Sequence, residues 1–327
     1  MDFDLTEDQR EIKGVARELL AARSPLARVR AAAESREYDA ALWSEIVGLG
    51  WPGIAVSEEH GGQGLGAVEL AVLLEELGYA CAATPFLSSA LAAAVIQATG
   101  SEEQRSRWLP GLAAGELTAG VGPRALVIDG AGADLAVVLE GEEALLVTAP
   151  ETEPVETIDP TRRFARVRGD GEPLEAGAAA RILAGIAAEM VGVCQRSLEM
   201  TLEYVKDRKQ FGVAVGSFQA VAHRCAQMLL YTESARSTAY FAAWAADADP
   251  ERLAEAAALA AAAAAGGGRD VSASAIQAHG GIGFTWEADV HWFYKRAQLN
   301  AALLGGTGRH HATLARAAAA RVALPAG

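Results

Sequence analysis

Gln277-Ala278-His279-Gly280-Gly281-Ile282-Gly283-Phe284-Thr285-Trp286 is the stretch on which the reading of this 327-residue chain turns. It stands between two helical segments, the first of them rich in alanine. Three glycines in four residues cannot continue a helix cheaply, since each costs about 1 kcal/mol against Ala. The break bares backbone N–H groups beside a helix end, where anions are favoured. The stretch therefore reads as a turn facing a phosphate or pyrophosphate. A plain helix–helix turn closing a bundle is the other reading that glycine spacing allows.

The surrounding periodicity favours helix from residue 174 to the end, in segments over 175–206, 217–246, 250–278, 287–304 and 308–322. Long segments with short breaks predict an antiparallel bundle. The Ala-rich tract 254–265 has high helix propensity and is expected to pack closely on a neighbour. Residues 115–172 differ in character. Leu126-Val127-Ile128, residues 135–139, residues 144–147 and Phe164-Ala165-Arg166-Val167-Arg168 are short β-type runs punctuated by Asp129-Gly130 and Glu140-Gly141. About five strands are expected there. Residues 1–114 are again helical: Thr6 and Gln9 form a capping box, a helix over 39–49 ends at Gly50, an amphipathic run covers 67–77 and a further apolar helix 84–98. The predicted fold is mainly α with a small β domain: an N-terminal helical domain (1–114), a reduced β domain (115–172) and a C-terminal helical bundle (173–327).

Composition narrows the function. The chain is 51% hydrophobic and 21% charged, with a net charge of −14. That argues for a globular protein and against a nucleic-acid surface. Cys81, Cys194 and Cys225 share no ligand spacing and cannot all pair, which reads as a reduced, cytoplasmic setting. Met1-Asp2-Phe3-Asp4 is acidic and lacks the marks of a signal peptide, and no run is apolar enough to predict a membrane span. His310-His311 has no Cys or acid at ligand spacing, so no metal site is expected.

Asp207-Arg208-Lys209-Gln210-Phe211-Gly212 follows a long helix that Gly212 is expected to end. Arg208 offers a fork of donors suited to phosphate oxygens, or alternatively complements the helix dipole. Gln219 lies near the start of the next helix. His279, beside the glycines, reads equally as a pyrophosphate contact or a helix cap, and Trp286 reads as packing. Thr161-Arg162-Arg163 is a basic turn, either solvated or meeting a CoA phosphate or a partner.

These motifs together resemble the acyl-CoA dehydrogenase family over nearly the whole length. Arg208-Lys209-Gln210-Phe211-Gly212 is similar to its Arg-x-x-Phe-Gly, and Gln277-Ala278-His279-Gly280-Gly281-Ile282-Gly283 to its Gln-x-x-Gly-Gly-x-Gly. Gly53-Ile54-Ala55-Val56-Ser57-Glu58-Glu59-His60-Gly61-Gly62 resembles a loop of its N-terminal domain. Gly100-Ser101-Glu102-Glu103-Gln104, with Trp108-Leu109-Pro110, resembles its entry to the β domain. The resemblance implies FAD and an acyl-CoA substrate, with α-proton abstraction by a carboxylate and transfer of the β-hydrogen as hydride to the flavin. It also implies that Arg208, Gln210, Phe211 and Gln219, with Gln277, His279, Gly280 and Gly281, face the adenine–pyrophosphate half of a neighbouring subunit's FAD.

Two departures qualify the resemblance. The family's usual catalytic Glu falls on Leu304, in Leu303-Leu304-Gly305-Gly306, and its less common place falls on Arg181 and Ile182. Glu189, one turn-set further along the same helix face, is the one substitute, against an ion-paired role. The family loop that meets the flavin ring is replaced by Gly120-Val121-Gly122-Pro123-Arg124. A non-catalytic subunit that completes the FAD site of a second acyl-CoA dehydrogenase-like chain, in an α2β2 enzyme, is the expectation. The alternatives are a self-sufficient homodimer with an unusual base, and a flavin-free CoA-thioester binder or scaffold.

Overall fold

In the computed structural model, residues 4–141 and 143–323 are described; Met1-Asp2-Phe3, Glu142 and 324–327 lie outside them. Six helices come first: α1 (Glu7–Arg23), α2 (Leu26–Ser35), α3 (Ala40–Gly48), α4 (Ala67–Ala80), α5 (Phe86–Thr99) and α6 (Glu102–Ala113). The capping boxes at Thr6/Gln9 and Ser101/Gln104 start α1 and α6. Helix α2 was not expected from the sequence. It follows Pro25 and buries Val29, Ala32 and Ala33, a stripe whose small alanines give a weak periodic signal.

The middle strands are β1 (Ala119–Pro123), β2 (Leu135–Glu140), β3 (Glu143–Thr148), β4 (Glu151–Pro154), β5 (Ala165–Arg168) and β6 (Glu172–Pro173). One sheet runs β1-β2-β3-β6 with β1 and β2 parallel; β4 and β5 form a second, antiparallel pair. Leu126-Val127-Ile128, expected as a strand, makes only single bridges, Val121 with Ile128 and Val127 with Ala165. The ladder residues sit instead in β1, whose glycines hide its β character from a propensity reading.

Helices α7 (Ala178–Asp207), α8 (Gln219–Ala248) and α9 (Leu253–His279) pack on one another, and α10 (Val290–Leu303) and α11 (Thr307–Ala323) pack on α9. The alanines of α9 are the contact: Ala256, Ala260, Ala261, Ala264 and Ala265 are buried. Helix α7 is long and apolar enough to cross a membrane, but most of it is buried in the bundle.

Close backbone approach joins the N-terminal helices to the bundle. A Cβ on Gly192 of α7 would lie 1.8 Å from the Glu75 carbonyl of α4, and one on Gly78 of α4 would lie 2.1 Å from the Glu189 carbonyl. Gly192→Ala is therefore expected to cost about 3 kcal/mol, because two helices must separate. A urea unfolding curve reads this; a midpoint unchanged from the parent would contradict it.

Candidate functional site at the end of the bundle

Helix α7 stops at Asp207, five residues before Gly212, which was the expected stop. Arg208 caps it with extended backbone, and its N–H donates to the Tyr204 carbonyl at 2.9 Å. The chain then forms a two-residue hairpin, β7 (Lys209–Gln210) against β8 (Val213–Ala214). Phe211 and Gly212 occupy the turn with φ of +52° and +84°. Left-handed backbone at both central positions matches the twist of the flanking strands, and Phe211 tolerates it at a cost of about 1 kcal/mol or more. The turn holds the Phe211 ring outward, 93% exposed, with the Phe218 ring edge-on at 6.3 Å. Gln219 is the first residue of α8 and is exposed.

At the C-terminus of α9, Gly280 adopts φ +64° and ψ −141°, backbone open only to glycine. The 3-10 turn Gly280–Phe284 follows. A Cβ on Gly280 or Gly281 would meet nothing within 4 Å, so this backbone faces open space. His279 is buried. Its ring stacks on Tyr204 at 4.5 Å, and its Nδ1 lies 2.8 Å from the Ala275 carbonyl oxygen. Burial lowers its pKa, which keeps the imidazole neutral at neutral pH.

The two motifs thus converge. Arg208, Tyr204, Arg196, Glu203 and His279 line one open cleft of about 560 Å³. Gln277 does not line it. It lines a second cleft of about 480 Å³ with Trp286, His291 and Lys295. Trp286, read from sequence as packing, is 65% exposed on this rim.

The junction that holds Glu189 is filled by ion pairs. Between the β segment and the bundle, Asp159, Thr161, Arg162, Glu189, Arg296 and Asn300 form one buried cluster. Glu189 Oε1 accepts from Arg162 and from Arg296 Nη1 (2.8 Å), and Oε2 accepts from Asn300 Nδ2 at 2.6 Å. Arg296 Nε donates to Asp159 Oδ2, and Arg162 Nη1 donates to Asn300 Oδ1 at 2.9 Å. Burial alone would raise the Glu189 pKa, but the Arg162 and Arg296 guanidiniums outweigh it and hold the carboxyl below its ordinary value. The same balance, with Arg296 foremost, holds Asp159 low. Glu189 is in the ion-paired arrangement. A fully buried carboxylate held by two guanidiniums and an amide is not placed to take a proton from a substrate. The Thr161-Arg162-Arg163 turn is likewise not solvated throughout: Thr161 and Arg162 are buried, and only Arg163 is exposed. Sequence reasoning missed Arg296 and Asn300. Their i, i+4 spacing on α10 puts both on one face, but nothing local says that this face meets Glu189.

Leu304, at the position matched to the family's catalytic Glu, is fully buried one helical turn past Asn300. On the β side, a Cβ at Gly120 would lie 2.6 Å from Val127 Cγ1 and 2.9 Å from the Gly130 Cα. That face of β1 is covered by the chain's own 126–130 segment. The three cysteines are free and buried, and no cluster of metal-ligating residues exists among the described residues.

The family model for the acyl-CoA dehydrogenase N-terminal domain matches residues 6–116, and that for the acyl-CoA dehydrogenase C-terminal domain matches residues 179–319. The chain belongs to the acyl-CoA dehydrogenase family. It is 36% identical over 312 residues to the acyl-CoA dehydrogenase IpdE2 of Mycobacterium tuberculosis, covering 91% of this chain and 93% of the relative. Among solved structures it is similar to a variant of the Tcur3481–Tcur3483 steroid ACAD (TM-score 0.87, 28% identity, 97% of this chain and 99% of that one). It is also similar to the ChsE4–ChsE5 complex of Mycobacterium tuberculosis (TM-score 0.88, 25% identity, 98% and 99%). Membership makes this an oxidoreductase of acyl-CoA thioesters with FAD as the family cofactor.

The residues present fit one half of that cofactor. The exposed guanidinium of Arg208, the open Gly280-Gly281 backbone and the outward Phe211 ring suit a pyrophosphate and an adenine.

Proposed function

We propose that this chain is the non-catalytic subunit of a heteromeric FAD-dependent acyl-CoA dehydrogenase, completing the cofactor site of a second chain of the same fold. The observation that carries this reading is the contrast between two regions. The motif residues at the end of the bundle are exposed around open backbone, while the junction beside Leu304 is sealed by six mutually satisfied polar side chains.

In this reading Arg208 neutralises the pyrophosphate of FAD held by the partner. Gln210, Gln219 and Gln277 supply amide groups, Gly280 and Gly281 supply backbone N–H groups, and Phe211 covers the adenine. His279 positions the α9 terminus against Tyr204 and presents its second ring nitrogen to the cleft. FAD, when bound, supplies the hydride acceptor. The α-proton goes to a carboxylate of the partner, because the carboxylates of this chain's junction are engaged by its own cations; Glu189 anchors the fold. The domain divisions 1–114, 115–172 and 173–327 belong to the proposal, as does a cytoplasmic setting.

A partner surface is supported by the apolar side chains left bare at this end. Phe284 is 77% exposed, Phe218 is exposed beside the hairpin, and Leu229 and Leu230 are exposed further along α8. Patches of this kind mark association faces. Two similar solved structures, Tcur3481–Tcur3483 and ChsE4–ChsE5, are pairs of chains, which supports an α2β2 assembly, and the first is a steroid ACAD, which supports a bulky, ring-bearing acyl group as substrate.

The test is flavin content per chain. The chain purified alone is expected to be colourless, and the pair co-expressed with its dehydrogenase-like neighbour to hold about one FAD per two chains. One FAD per chain in the lone protein, reduced on adding an acyl-CoA, would sink the reading. In the complex, Arg208→Ala is expected to lower FAD retention about tenfold or more, the loss of one charge-assisted contact.

A further inference from the structure

Another cleft, of about 240 Å³, lies beside β4 and shares no lining residue with the two clefts at the end of the bundle. Three arginines line it: Arg36 from the loop after α2, and Arg162 and Arg163 from the 161–163 turn. In a chain with 28 basic and 42 acidic side chains, three cations on one small cleft reverse the local sign. Arg36 is paired with Glu156, which also lines the cleft, and both side chains are mostly exposed. Arg162 is balanced by Glu189 in the buried cluster. Arg163 is left over: among the described residues no carboxylate lies at ion-pair distance from it. Its guanidinium lies over the Tyr38 ring at 5.5 Å, and Tyr38 is itself fixed by donating to Asp129 Oδ1 at 2.8 Å. The Arg163 carbonyl accepts from the Ala131 N–H at 3.3 Å, so backbone and side chain are both placed in advance. Arg162 adds a donor that is 7% exposed as a residue. Its Nη1 and Nη2 are spent on Asn300 and Glu189. Its Nε has no acceptor among the described residues, yet it is not one of the unpartnered nitrogens sealed from solvent.

We infer that this cleft binds a small organic carboxylate. One negative charge matches the one uncompensated cation. A planar carboxylate also suits the paired N–H groups of a guanidinium, a geometry that a point charge does not reward. The rest of the wall is apolar, with Pro154, Val155, Pro160 and Phe164 to take the body of the acid. Inorganic phosphate brings more charge than the cleft balances and leaves that wall unmet. The volume is below the range of about 300–1,000 Å³ that drug-sized ligands fill, so the acid is small. The cleft is formed wholly within one chain, so the inference does not rest on the half-site reading.

The experiment is calorimetric titration of the full chain with benzoate at low ionic strength, with benzamide and inorganic phosphate as controls. Benzoate is expected to bind saturably, about tenfold or more tighter than benzamide, which keeps the shape without the charge. Arg163→Met should weaken benzoate binding about tenfold while the melting temperature holds, because the side chain is exposed. Glu156→Gln separates binding from folding. It removes the anion that competes for Arg36 and should tighten benzoate binding about threefold, a gain that a misfolded protein cannot give. No saturable binding of benzoate at about 10 mM, equal affinity for benzamide or phosphate, or no gain in Glu156→Gln would overturn the inference. Competition identifies the source: displacement of benzoate by glutarate assigns a free acid, and displacement by glutaryl-CoA but not glutarate assigns an acyl thioester with a free carboxyl group. Arg208→Ala should leave benzoate binding unchanged, which keeps this test apart from the test of flavin retention.

Discussion

Replacing Arg296 by methionine is expected to destabilise the fold by about 3–5 kcal/mol, the cost of leaving a buried charge without its partner. The cluster in the native chain holds two cations, Arg162 and Arg296, and two anions, Asp159 and Glu189. All four are buried, so solvent cannot screen the imbalance. Arg296→Met leaves two carboxylates sharing Arg162. Asp159 loses its ion pair with Arg296, and the Thr161 hydroxyl loses a donor. Charge balance predicts the companion result. Adding Asp159→Asn to Arg296→Met restores one cation to one anion and should recover a large share of the loss. Urea unfolding of the single and double variants checks this. A double variant no more stable than Arg296→Met would mean that the cluster acts through shape and not charge. Acidification gives the same information in the native chain. Glu189 and Asp159 have folded pKa values below their unfolded ones, so the stability they contribute is complete above the unfolded values of about 4. It is lost as pH falls through the folded values. Stability of the native chain should therefore drop below about pH 4 more steeply than that of the double variant.

Leu304→Glu is expected to damage the protein without making it a dehydrogenase. On the proposed reading, this is the substitution that would put a carboxylate at the family's usual place. Here the new carboxyl would stand in a fully buried position at the C-terminus of α10, where the helix dipole also disfavours an anion. Its neighbour one turn back, Asn300, already spends its amide on Glu189 and its carbonyl on Arg162. The cost should be about 3 kcal/mol or more, read as a lowered unfolding midpoint, with the acid held neutral by burial. Anaerobic addition of an acyl-CoA to the lone variant should bleach no flavin. Flavin reduction by Leu304→Glu alone would show that the chain holds a complete site needing only its base, and the shared-site proposal would fall.

Much of the fold was legible because its signals are local. Helix α1 announces itself by Thr6 and Gln9, α6 by Ser101 and Gln104, and α9 by its run of alanines, since each feature acts within one or two turns of backbone. The glycine motif is legible for the same reason: Gly280 needs backbone that only glycine adopts freely. The failures were of two kinds. Weak local signals hid α2, whose buried stripe is mostly alanine, and β1, whose glycines carry no β propensity. The Arg208 segment misled on its boundary. The helix ends at Asp207 because Phe211 and Gly212 together make a tight hairpin, and a sequence reading credits the turn to Gly212 alone.

The candidate site divides along the same line. The sequence by itself determined the family motifs and the class of cofactor, because residue type at fixed spacing carries that information. Only the tertiary structure decided that Arg208 and His279 share a cleft while Gln277 turns to another, since those residues are about seventy positions apart and meet through the packing of α7 on α9. Only the structure, too, decided the fate of Glu189. As a residue in a sequence it could serve as a base or as an anchor. Two guanidiniums, one from the β segment and one from α10, neutralise it in the interior, and that pairing exists only after three distant segments have been brought together.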